Sequence, residues 1–385
     1  MDKQMKGSGL KKIGALLPWL WLAAGYVLDI WFQLVPGKWI VDSDLASDMI
    51  LANILNKEHS FFSYSWYYST EIKAVGLHWF YKLGLLIFPN DWHLARVFGM
   101  VIALLLYSVA VLLLTRCMGL GKIGVWMAGA LLWPFGRRYL VYAIYGGYYL
   151  VYTFFYILVL YFMFKSVEKS GKARIKWCAL ACIVSLAACL NGVKQLMVFQ
   201  APLILAVMIL LLLALSDSKK TDWRSALQAC DTEVWLTIEV VATTFAGLVG
   251  YIIDTKVLAA HYAFKSFSGV TWNRFGMDWT LDRALMDFFH EFGYQDGVGV
   301  FHFSGIASGV GLLIGAWVFF CIVRLVWRYK KLNVAQRLMT LLMLTMLAVC
   351  GIAYTYFGNY CQYFWLTCMP VAIAVMMIEI KTEDL

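Results

Sequence analysis

The sequence predicts an all-α polytopic membrane protein, and two observations carry this prediction. Apolar residues make up 62% of the 385 residues and charged residues only 14%, whereas about 25% of the residues of a soluble domain are charged. Apolar runs of about 20 residues, long enough to cross the hydrocarbon core of a bilayer as helices, recur along the chain. Helices are required because lipid cannot satisfy the polar groups of an open backbone.

Ten transmembrane helices are predicted, within one membrane domain that covers residues 1–385. Residues 1–12 carry four lysines, which places the N-terminus in the cytoplasm by the positive-inside rule. With an even number of spans, the C-terminus is cytoplasmic too. The predicted spans are residues 13–34, 95–115, 123–135, 147–164, 177–190, 196–215, 234–253, 304–327, 338–357 and 361–378.

The net charge of +9 follows from this orientation, because lysines and arginines are concentrated in short cytoplasmic links. It does not indicate nucleic-acid binding, since no basic stripe interleaved with aromatic residues lies outside these links. The nine cysteines include no C-x-x-C pair, and most lie within or against the spans. That pattern is typical of helix packing rather than of a disulfide framework or a metal site.

Residues 35–94 form the first of two long connections that this topology places outside the cell. The connection begins with Asp42-Ser43-Asp44, directly after the first span. Acidic residues beside a bilayer are costly unless they have a task, which favours a functional role. The alternative is that these are ordinary solvated loop acids, with Ser43 or Asp44 capping a helix.

The same connection is predicted to contain two interfacial helices. Over residues 44–55, apolar residues recur at helical spacing, and Asp44 and Asp48 are expected to face water. Over residues 71–88, aromatic residues and leucines dominate and few residues are charged. Such segments lie comfortably at the depth of the lipid headgroups.

Residues 254–303 form the second long exterior connection, and residues 279–292 within it predict an amphipathic helix. All six histidines of the chain fall in the two exterior connections. His290-Glu291 lacks the second histidine of an H-E-x-x-H pair, so the spacing does not favour a histidine metal site. The predicted helix has an apolar face (Leu281, Leu285, Phe288, Phe289) and a charged face (Asp282, Arg283, Asp287, Glu291).

The order of these parts resembles the GT-C superfamily of polyprenyl-phosphate-sugar-dependent membrane glycosyltransferases, which includes protein mannosyltransferases and lipid A aminoarabinose transferases. Members often have an acidic residue eight positions before an alanine in the first interfacial helix, and Asp44 stands eight before Ala52. Residues 90–96 open the second span as in the family, and residues 360–370 are similar to its late aromatic-rich span. The resemblance is strongest over residues 13–115.

The chain departs from the family pattern at two positions. Members often carry a second acid directly after the first, whereas Leu45 follows Asp44 here. In the late span an arginine commonly precedes the tyrosine, but Gln362 precedes Tyr363.

The resemblance implies transfer of a sugar from a polyprenyl-phosphate donor to a protein, lipid or glycan acceptor at the plasma membrane. The chemistry needs a carboxylate to accept the acceptor's proton and cations to hold the departing phosphate. Asp44, or else Asp42, is the expected base. No cofactor is assigned, and a requirement for a divalent cation stays open. The candidate substrate-binding residues are Lys73, Arg96, Arg137, Arg138, Lys194, Glu71 and Gln362.

Two other classes of protein remain as alternatives. A transporter or flippase would carry charges within its spans and show paired repeats; Asp29 and Glu239 are the acids well within the predicted spans, and no repeat is visible. A polysaccharide-assembly protein without catalytic activity would need no exterior acids. Arg137 and Arg138 also have an alternative role, as arginines that extend to lipid headgroups.

Overall fold

The computed structural model describes residues 2–69, 72–218, 220, 222–265, 280–357 and 361–383. Within these residues, eight helices are long and apolar enough to cross a membrane. The protein is therefore an all-α, multi-pass membrane protein, as the sequence predicts. The eight candidate spans are Gly14–Trp39, Trp92–Cys117, Leu150–Val167, Leu196–Asp217, Asp231–His261, Phe303–Trp327, Val334–Tyr356 and Trp365–Glu383.

Three helices contain a π-helical segment or continue from one, and other connections contain short 3₁₀ turns. The α-helices are α1 (Asp2–Leu34), α2 (Ser43–Lys57), α3 (His78–Ile87), α4 (Trp92–Cys117), α5 (Ile123–Ala130), α6 (Arg137–Tyr139), α7 (Leu150–Val167), α8 (Gly171–Cys189), α9 (Ala201–Asp217), α10 (Trp223–Ala229), α11 (Asp231–Ile252), α12 (Ala259–His261), α13 (Leu281–Glu291), α14 (Phe303–Trp327), α15 (Val334–Phe357) and α16 (Trp365–Glu383). The π-helical segments are Leu140–Tyr145, Leu196–Gln200 and Ile253–Leu258, and the 3₁₀ turns are Pro36–Trp39, Tyr329–Lys331 and Cys361–Phe364.

Two of the ten predicted spans are not among these eight. Residues 123–135 contain only α5, a helix of 8 residues, which is too short to cross a hydrocarbon core of about 30 Å. Residues 177–190 form the second half of α8, whose first half carries basic residues. Both helices nevertheless pack inside the bundle, α5 against α1 and α8 against α7 and α11.

The bundle has a buried centre and a lipid-exposed periphery. α16 is the most enclosed candidate span and packs against α13, α14 and α15 on one side and α5 and α7 on the other. α1 is the least enclosed and contacts mainly α5 and α4. In α3 and α4 the backbones touch, because Gly84 lies so close to Ala95 that a β-carbon at Gly84 would overlap the carbonyl oxygen of Ala95.

Both long connections lie on the same side of the bundle, which we call the loop face. The evidence is a short parallel pairing of β1 (Tyr68–Ser69) with β2 (Phe264–Lys265), one strand from each connection. The segments between α6 and α7 and between α8 and α9 also reach this face, since Tyr148 and Asn191 bind residues of the first connection. The loop face therefore gathers side chains from distant parts of the sequence.

The first helix predicted in this connection is present as α2, but two details of the prediction are wrong. Asp48 does not face water: it is buried and pairs with Lys73. The second helix does not begin near residue 71 but at His78, because Lys73 has a positive φ of 49° that interrupts a helix. The loop before α3 is held instead by Asn191, whose side chain binds both the N–H and the carbonyl of Val75.

The helix in the second connection is confirmed as α13, and its faces are arranged in an unexpected way. Leu281 and Leu285 are exposed, whereas Asp287 and Glu291 are buried against the bundle. The acids can be buried because a cation and hydrogen-bond donors meet them there, as described below.

Candidate functional site

Asp42 is held in a fixed position at the start of α2. It is the N-cap of that helix, and its Oδ1 accepts a hydrogen bond from the Leu45 N–H at 2.9 Å. The same oxygen accepts a hydrogen bond of 2.5 Å from the hydroxyl of Tyr148. Burial and this bond raise the pKa of Tyr148 well above its ordinary value, so the hydroxyl keeps its proton and donates it. Asp44 lies two residues further along, in the first turn of α2, and both acids are exposed.

Tyr148 reaches Asp42 because the chain turns sharply before α7. Gly147 has a φ of 64°, which glycine tolerates. A β-carbon at Gly147 would lie 2.3 Å from the Leu77 Cδ1, so a larger residue would also push away the loop before α3. The turn follows the π-helical segment Leu140–Tyr145, and such segments are frequent at functional sites.

Five tyrosines form a continuous set of rings beside Asp42, which we call the tyrosine wall: Tyr142, Tyr148, Tyr149, Tyr152 and Tyr363. Ring centroids lie 6.1 Å apart between Tyr148 and Tyr142, and 4.7 Å apart between Tyr142 and Tyr363. The set continues from Tyr363 to Tyr149 at 6.0 Å and from Tyr149 to Tyr152 at 6.1 Å. The wall thus joins the segment before α7 to the start of α16.

An apolar groove begins where the tyrosine wall ends. Its volume is about 180 Å³, and only apolar residues and one glycine line it. It lies between the start of α3 with the loop before it, the middle of α4 and the first two turns of α7. The lining residues are Val75, Gly76, Leu77, Phe80, Ala103, Leu106, Leu150, Val151, Phe154 and Phe155.

Positive charge flanks the mouth of this groove. Lys73 precedes the groove-lining loop, is 38% exposed and lies 3.3 Å from Asp48. Lys194 lies three residues after the loop-binding Asn191, with its ammonium 5.7 Å from the centroid of the Tyr152 ring. The positive field also acts on His78: burial, with Lys73 and a second lysine nearby, lowers the pKa of His78 to about 3.

One short stretch of chain, residues 148–155, takes part in all these features. Tyr148 binds Asp42, Tyr149 and Tyr152 belong to the tyrosine wall, and Tyr152 lies beneath Lys194. The four residues 150, 151, 154 and 155 line the groove. Consecutive residues of a helix point to different sides. The first turn and a half of α7 therefore contributes to an aromatic surface, lies next to a cation and lines an apolar groove, and Tyr148 just before it binds a carboxylate.

Arg138 forms salt bridges with two acidic residues of α13. Its guanidinium lies 2.9 Å from Asp287 and 3.2 Å from Glu291, and 5.9 Å from the centroid of the Tyr363 ring. Asp287 also accepts hydrogen bonds from Tyr354 at 2.6 Å and is 3.0 Å from His290. Arg138 therefore links α13 to the tyrosine wall, and the acids of α13 balance its positive charge.

The pKa values of the two acids of this cluster shift in opposite directions. Burial raises the pKa of Glu291 to about 8, although Arg138 opposes the increase. Burial acts in the same direction on Asp287, but hydrogen bonds from His290 and Tyr354 and the charge of Arg138 outweigh it and lower the pKa of Asp287 to about 2. One acid therefore neutralises Arg138 near neutral pH, and the other is largely protonated.

The remaining predicted substrate-binding residues are not brought together. Arg96 is 2% exposed, binds the side chain and carbonyl of Gln33 and lies 4.5 Å from the centroid of the Tyr145 ring, so it joins α4 to α1. Arg137 is exposed and forms no ion pair with any residue that the structure describes. Glu71 and the side chain of Gln362 lie outside the described residues.

The tyrosine wall was not anticipated from the sequence, although a signal for it is present. Tyrosines recur at every third position from 139 to 148, followed by Tyr149 and Tyr152. In an all-apolar region such a repeat of residues with a hydroxyl group indicates a polar stripe on a helical segment. No sequence pattern indicates the hydrogen bond from Tyr148 to Asp42 or the ion pairs between Arg138 and α13.

Comparison with protein-family models, with curated proteins and with solved structures finds no match to this chain. Within the described residues, no group of three or more histidine, cysteine, aspartate or glutamate side chains is arranged to hold a metal ion. The functional assignment therefore depends on the geometry of the loop face.

Proposed function

We propose that the protein is a membrane glycosyltransferase that uses a polyprenyl-phosphate-linked sugar as donor. The observation that carries this proposal is the stretch of residues 148–155, in which Tyr148 binds Asp42, Tyr152 lies under Lys194 and four residues line an apolar groove. A lipid-linked sugar has the same three parts in the same order: an isoprenoid chain, a phosphate and a sugar. The isoprenoid would occupy the groove, and the phosphate would meet Lys73 and Lys194.

The reaction forms one bond and breaks one. The acceptor's oxygen or nitrogen attacks the anomeric carbon, and the bond from that carbon to the phosphate oxygen breaks, so that polyprenyl phosphate leaves with the electron pair. The acceptor's proton passes to the carboxylate. Lysine charge stabilises the departing phosphate, which gains negative charge in the transition state.

Asp42 is the better supported base of the two candidate acids. Its Oδ1 is held by Leu45 and Tyr148, and this leaves the carboxylate oriented beside the tyrosine wall. Preorganisation of this kind is what general-base catalysis needs. Asp44, which the family resemblance favours, is exposed on the first turn of α2 and lies near enough to Tyr148 for its charge to contribute to the raised pKa of that tyrosine.

The proposal includes a topology of ten crossings, in which the whole segment between α4 and α6, with the short α5 within it, and α8 supply the two crossings not among the eight candidate spans. The loop face is then exterior at a plasma membrane. Both termini are then cytoplasmic. In a cysteine-free variant, Ser60→Cys should react with an impermeant maleimide added outside intact cells, and Ser218→Cys should react only after permeabilisation. Reaction of the second variant in intact cells contradicts this orientation.

The deciding experiment measures release of polyprenyl phosphate by purified protein in nanodiscs. The donors are undecaprenyl-phosphate-linked glucose, mannose, galactose and aminoarabinose, each with a mixture of glycan, peptide and lipid acceptors. Asp42→Asn keeps the shape of the side chain and removes the base, so turnover should fall by about a hundredfold or more. Asp44→Asn is the matched control and should keep at least half of the activity. Failure to consume any donor, or normal turnover by Asp42→Asn, contradicts the proposal.

A transport function is the second candidate, and one observation favours it. Asp29 is 1% exposed within the first candidate span, and both of its carboxylate oxygens lack a hydrogen-bond partner among the described residues. Unpaired acids in spans are typical of proton-coupled transporters. Undecaprenyl-phosphate uptake by proteoliposomes that depends on a proton gradient and is lost in Asp29→Asn would favour this function over glycosyl transfer.

A further inference from the structure

The exposed part of the tyrosine wall lies beside Asp42, not beside the groove. Tyr149 and Tyr152, which adjoin the groove, are 8% and 7% exposed, whereas Tyr142, Tyr148 and Tyr363 are half-buried. The more accessible rings are therefore those linked to Asp42 through Tyr148. If a lipid-linked donor fills the groove end, these rings are left for the second substrate.

Two hydroxyl groups at this end of the wall, those of Tyr142 and Tyr148, are kept protonated. The hydroxyls of Tyr142 and Tyr363 lie 3.4 Å apart. Their hydrogen bond, burial and the nearby charges of Tyr363 and Asp42 raise the pKa of Tyr142 to about 12. Tyr148 in turn donates to Asp42. The surface thus presents ring faces, neutral hydroxyls and one carboxylate, and its nearest cation, Arg138, is already balanced by acids.

From this arrangement we propose that the acceptor is a saccharide whose pyranose ring stacks on Tyr142 and Tyr363, an inference that rests on the proposed glycosyl transfer. One face of a pyranose ring consists of C–H groups, which carry partial positive charge and pack on the negative face of an aromatic ring. The equatorial hydroxyls then lie at the ring's edge, where tyrosine hydroxyls donate and accept hydrogen bonds and the Asp42 carboxylate accepts them. One of these sugar hydroxyls is the nucleophile.

The same surface is poorly suited to the other acceptor classes. A peptide in extended form is usually recognised through its backbone, by a strand edge or by amide groups, whereas the described residues of the exposed wall present tyrosine rings and hydroxyls. A lipid acceptor needs a second apolar groove next to the base, whereas the accessible groups there are hydroxyls and a carboxylate. A sugar ring uses both properties of the wall, its aromatic faces and its hydroxyl groups.

Saccharide binding can be tested without any donor. The wild-type protein in nanodiscs is titrated with soluble tetrasaccharides of glucose, mannose, galactose and N-acetylglucosamine, and saturation-transfer NMR reports which sugar protons contact the protein. At least one should bind, with transfer concentrated on C–H protons of one ring face. Tyr363→Leu removes the ring face and should weaken binding about tenfold or more, whereas Tyr363→Phe keeps the face and should change it by about twofold at most.

Two further variants make the result interpretable. Tyr142→Leu should weaken binding as Tyr363→Leu does, so that misfolding of one variant does not decide the test. Tyr67→Leu removes an exposed tyrosine of the first connection and should leave binding unchanged. Thermal unfolding of each variant identifies those that are folded.

The inference is overturned if no tetrasaccharide binds, if both leucine variants bind like the wild type, or if serine-rich peptides bind at the wall in place of sugars. Failure of the proposed glycosyl transfer would give different experimental results. If saccharides bind through the wall but no polyprenyl-phosphate sugar is consumed, the wall is a saccharide site of a protein that is not a transferase. If donor is consumed with a lipid or peptide acceptor and no saccharide binds, glycosyl transfer stands and the acceptor assignment is wrong.

Discussion

Tyr148 donates a hydrogen bond of 2.5 Å to Asp42 although the two residues are 106 positions apart in the sequence. The bond links the start of α7 to the start of α2, and both residues also take part in the local structure: Asp42 caps α2, and Tyr148 follows the turn at Gly147. The position of the carboxylate is therefore fixed by two independent segments, which is the property that a catalytic base requires.

Removal of the Tyr148 hydroxyl should impair catalysis without disrupting the fold. Tyr148→Phe keeps the ring in the tyrosine wall but leaves Asp42 with only its bond to the Leu45 N–H. Hydrogen bonds to charged groups contribute about 1.5–3 kcal/mol, so kcat should fall about tenfold or more while KM for the donor is little changed. Tyr67→Phe is the control, since Tyr67 is exposed elsewhere on the first connection. An unchanged kcat would mean that Tyr148 only packs.

Occupation of the groove can be tested with two neighbouring leucines of α4. Leu106 lines the groove, and Leu105 does not; their exposures are similar, at 44% and 48%. Leu106→Trp should fill the groove and weaken binding of undecaprenyl phosphate about tenfold or more, a loss of about 1.4 kcal/mol. Leu105→Trp adds the same ring to the lipid-facing side and should bind normally. Native mass spectrometry of the two variants measures the difference, and equal binding would rule out the groove as the lipid site.

Arg138 should matter for stability, and Arg137 should not. Arg138→Gln leaves Asp287, the ionised acid of α13, without its cation, and breaking a buried ion pair typically costs about 3–5 kcal/mol. Because a quarter of the Arg138 side chain is exposed, we expect a loss near the lower end, about 3 kcal/mol. Thermal unfolding in detergent should show a lower Tm for Arg138→Gln and an unchanged Tm for Arg137→Gln. The double variant Arg138→Gln, Asp287→Asn should recover part of the loss, and a double variant no more stable than Arg138→Gln would show that Arg138 and Asp287 are not coupled energetically.

Glu291 should make stability depend on pH. Burial raises its pKa from 4.5 to about 8, so between these values the folded protein keeps a proton that the unfolded chain releases. The free energy of unfolding therefore decreases as the pH rises through this window, by up to about 1.4 kcal/mol per pH unit. Arg138 and Asp287 face Glu291, and Asp287 titrates well below the window.

Glu291→Gln removes this titration, so its Tm should decrease less than that of the wild type between pH 5 and pH 8. Comparing the two proteins cancels the contributions of other groups, among them His290. Parallel Tm profiles for both proteins over this range would show that Glu291 stays ionised in the folded state.

Much of the fold follows from local sequence patterns. The apolar runs predict the membrane class and eight of the spans, because span length depends only on the thickness of the bilayer. The spaced apolar residues over residues 44–55 predict α2, since helical periodicity acts within a few residues. The N-cap, however, is Asp42, whereas the sequence predicts Ser43 or Asp44. The approximate position of α13 also follows from its own amphipathic pattern.

The tertiary structure alone decided which polar residues face the candidate site. From the sequence, Arg96, Arg138 and Lys194 are equivalent candidates for binding phosphate. In the structure, Gln33 of α1 binds Arg96 and the acids of α13 bind Arg138. Lys194 instead lies over Tyr152 at the mouth of the groove. These partners are distant in the sequence, and their pairing depends on how the helices pack. A charged side chain buried in a bundle needs a specific partner, and composition and periodicity do not encode which residue that is.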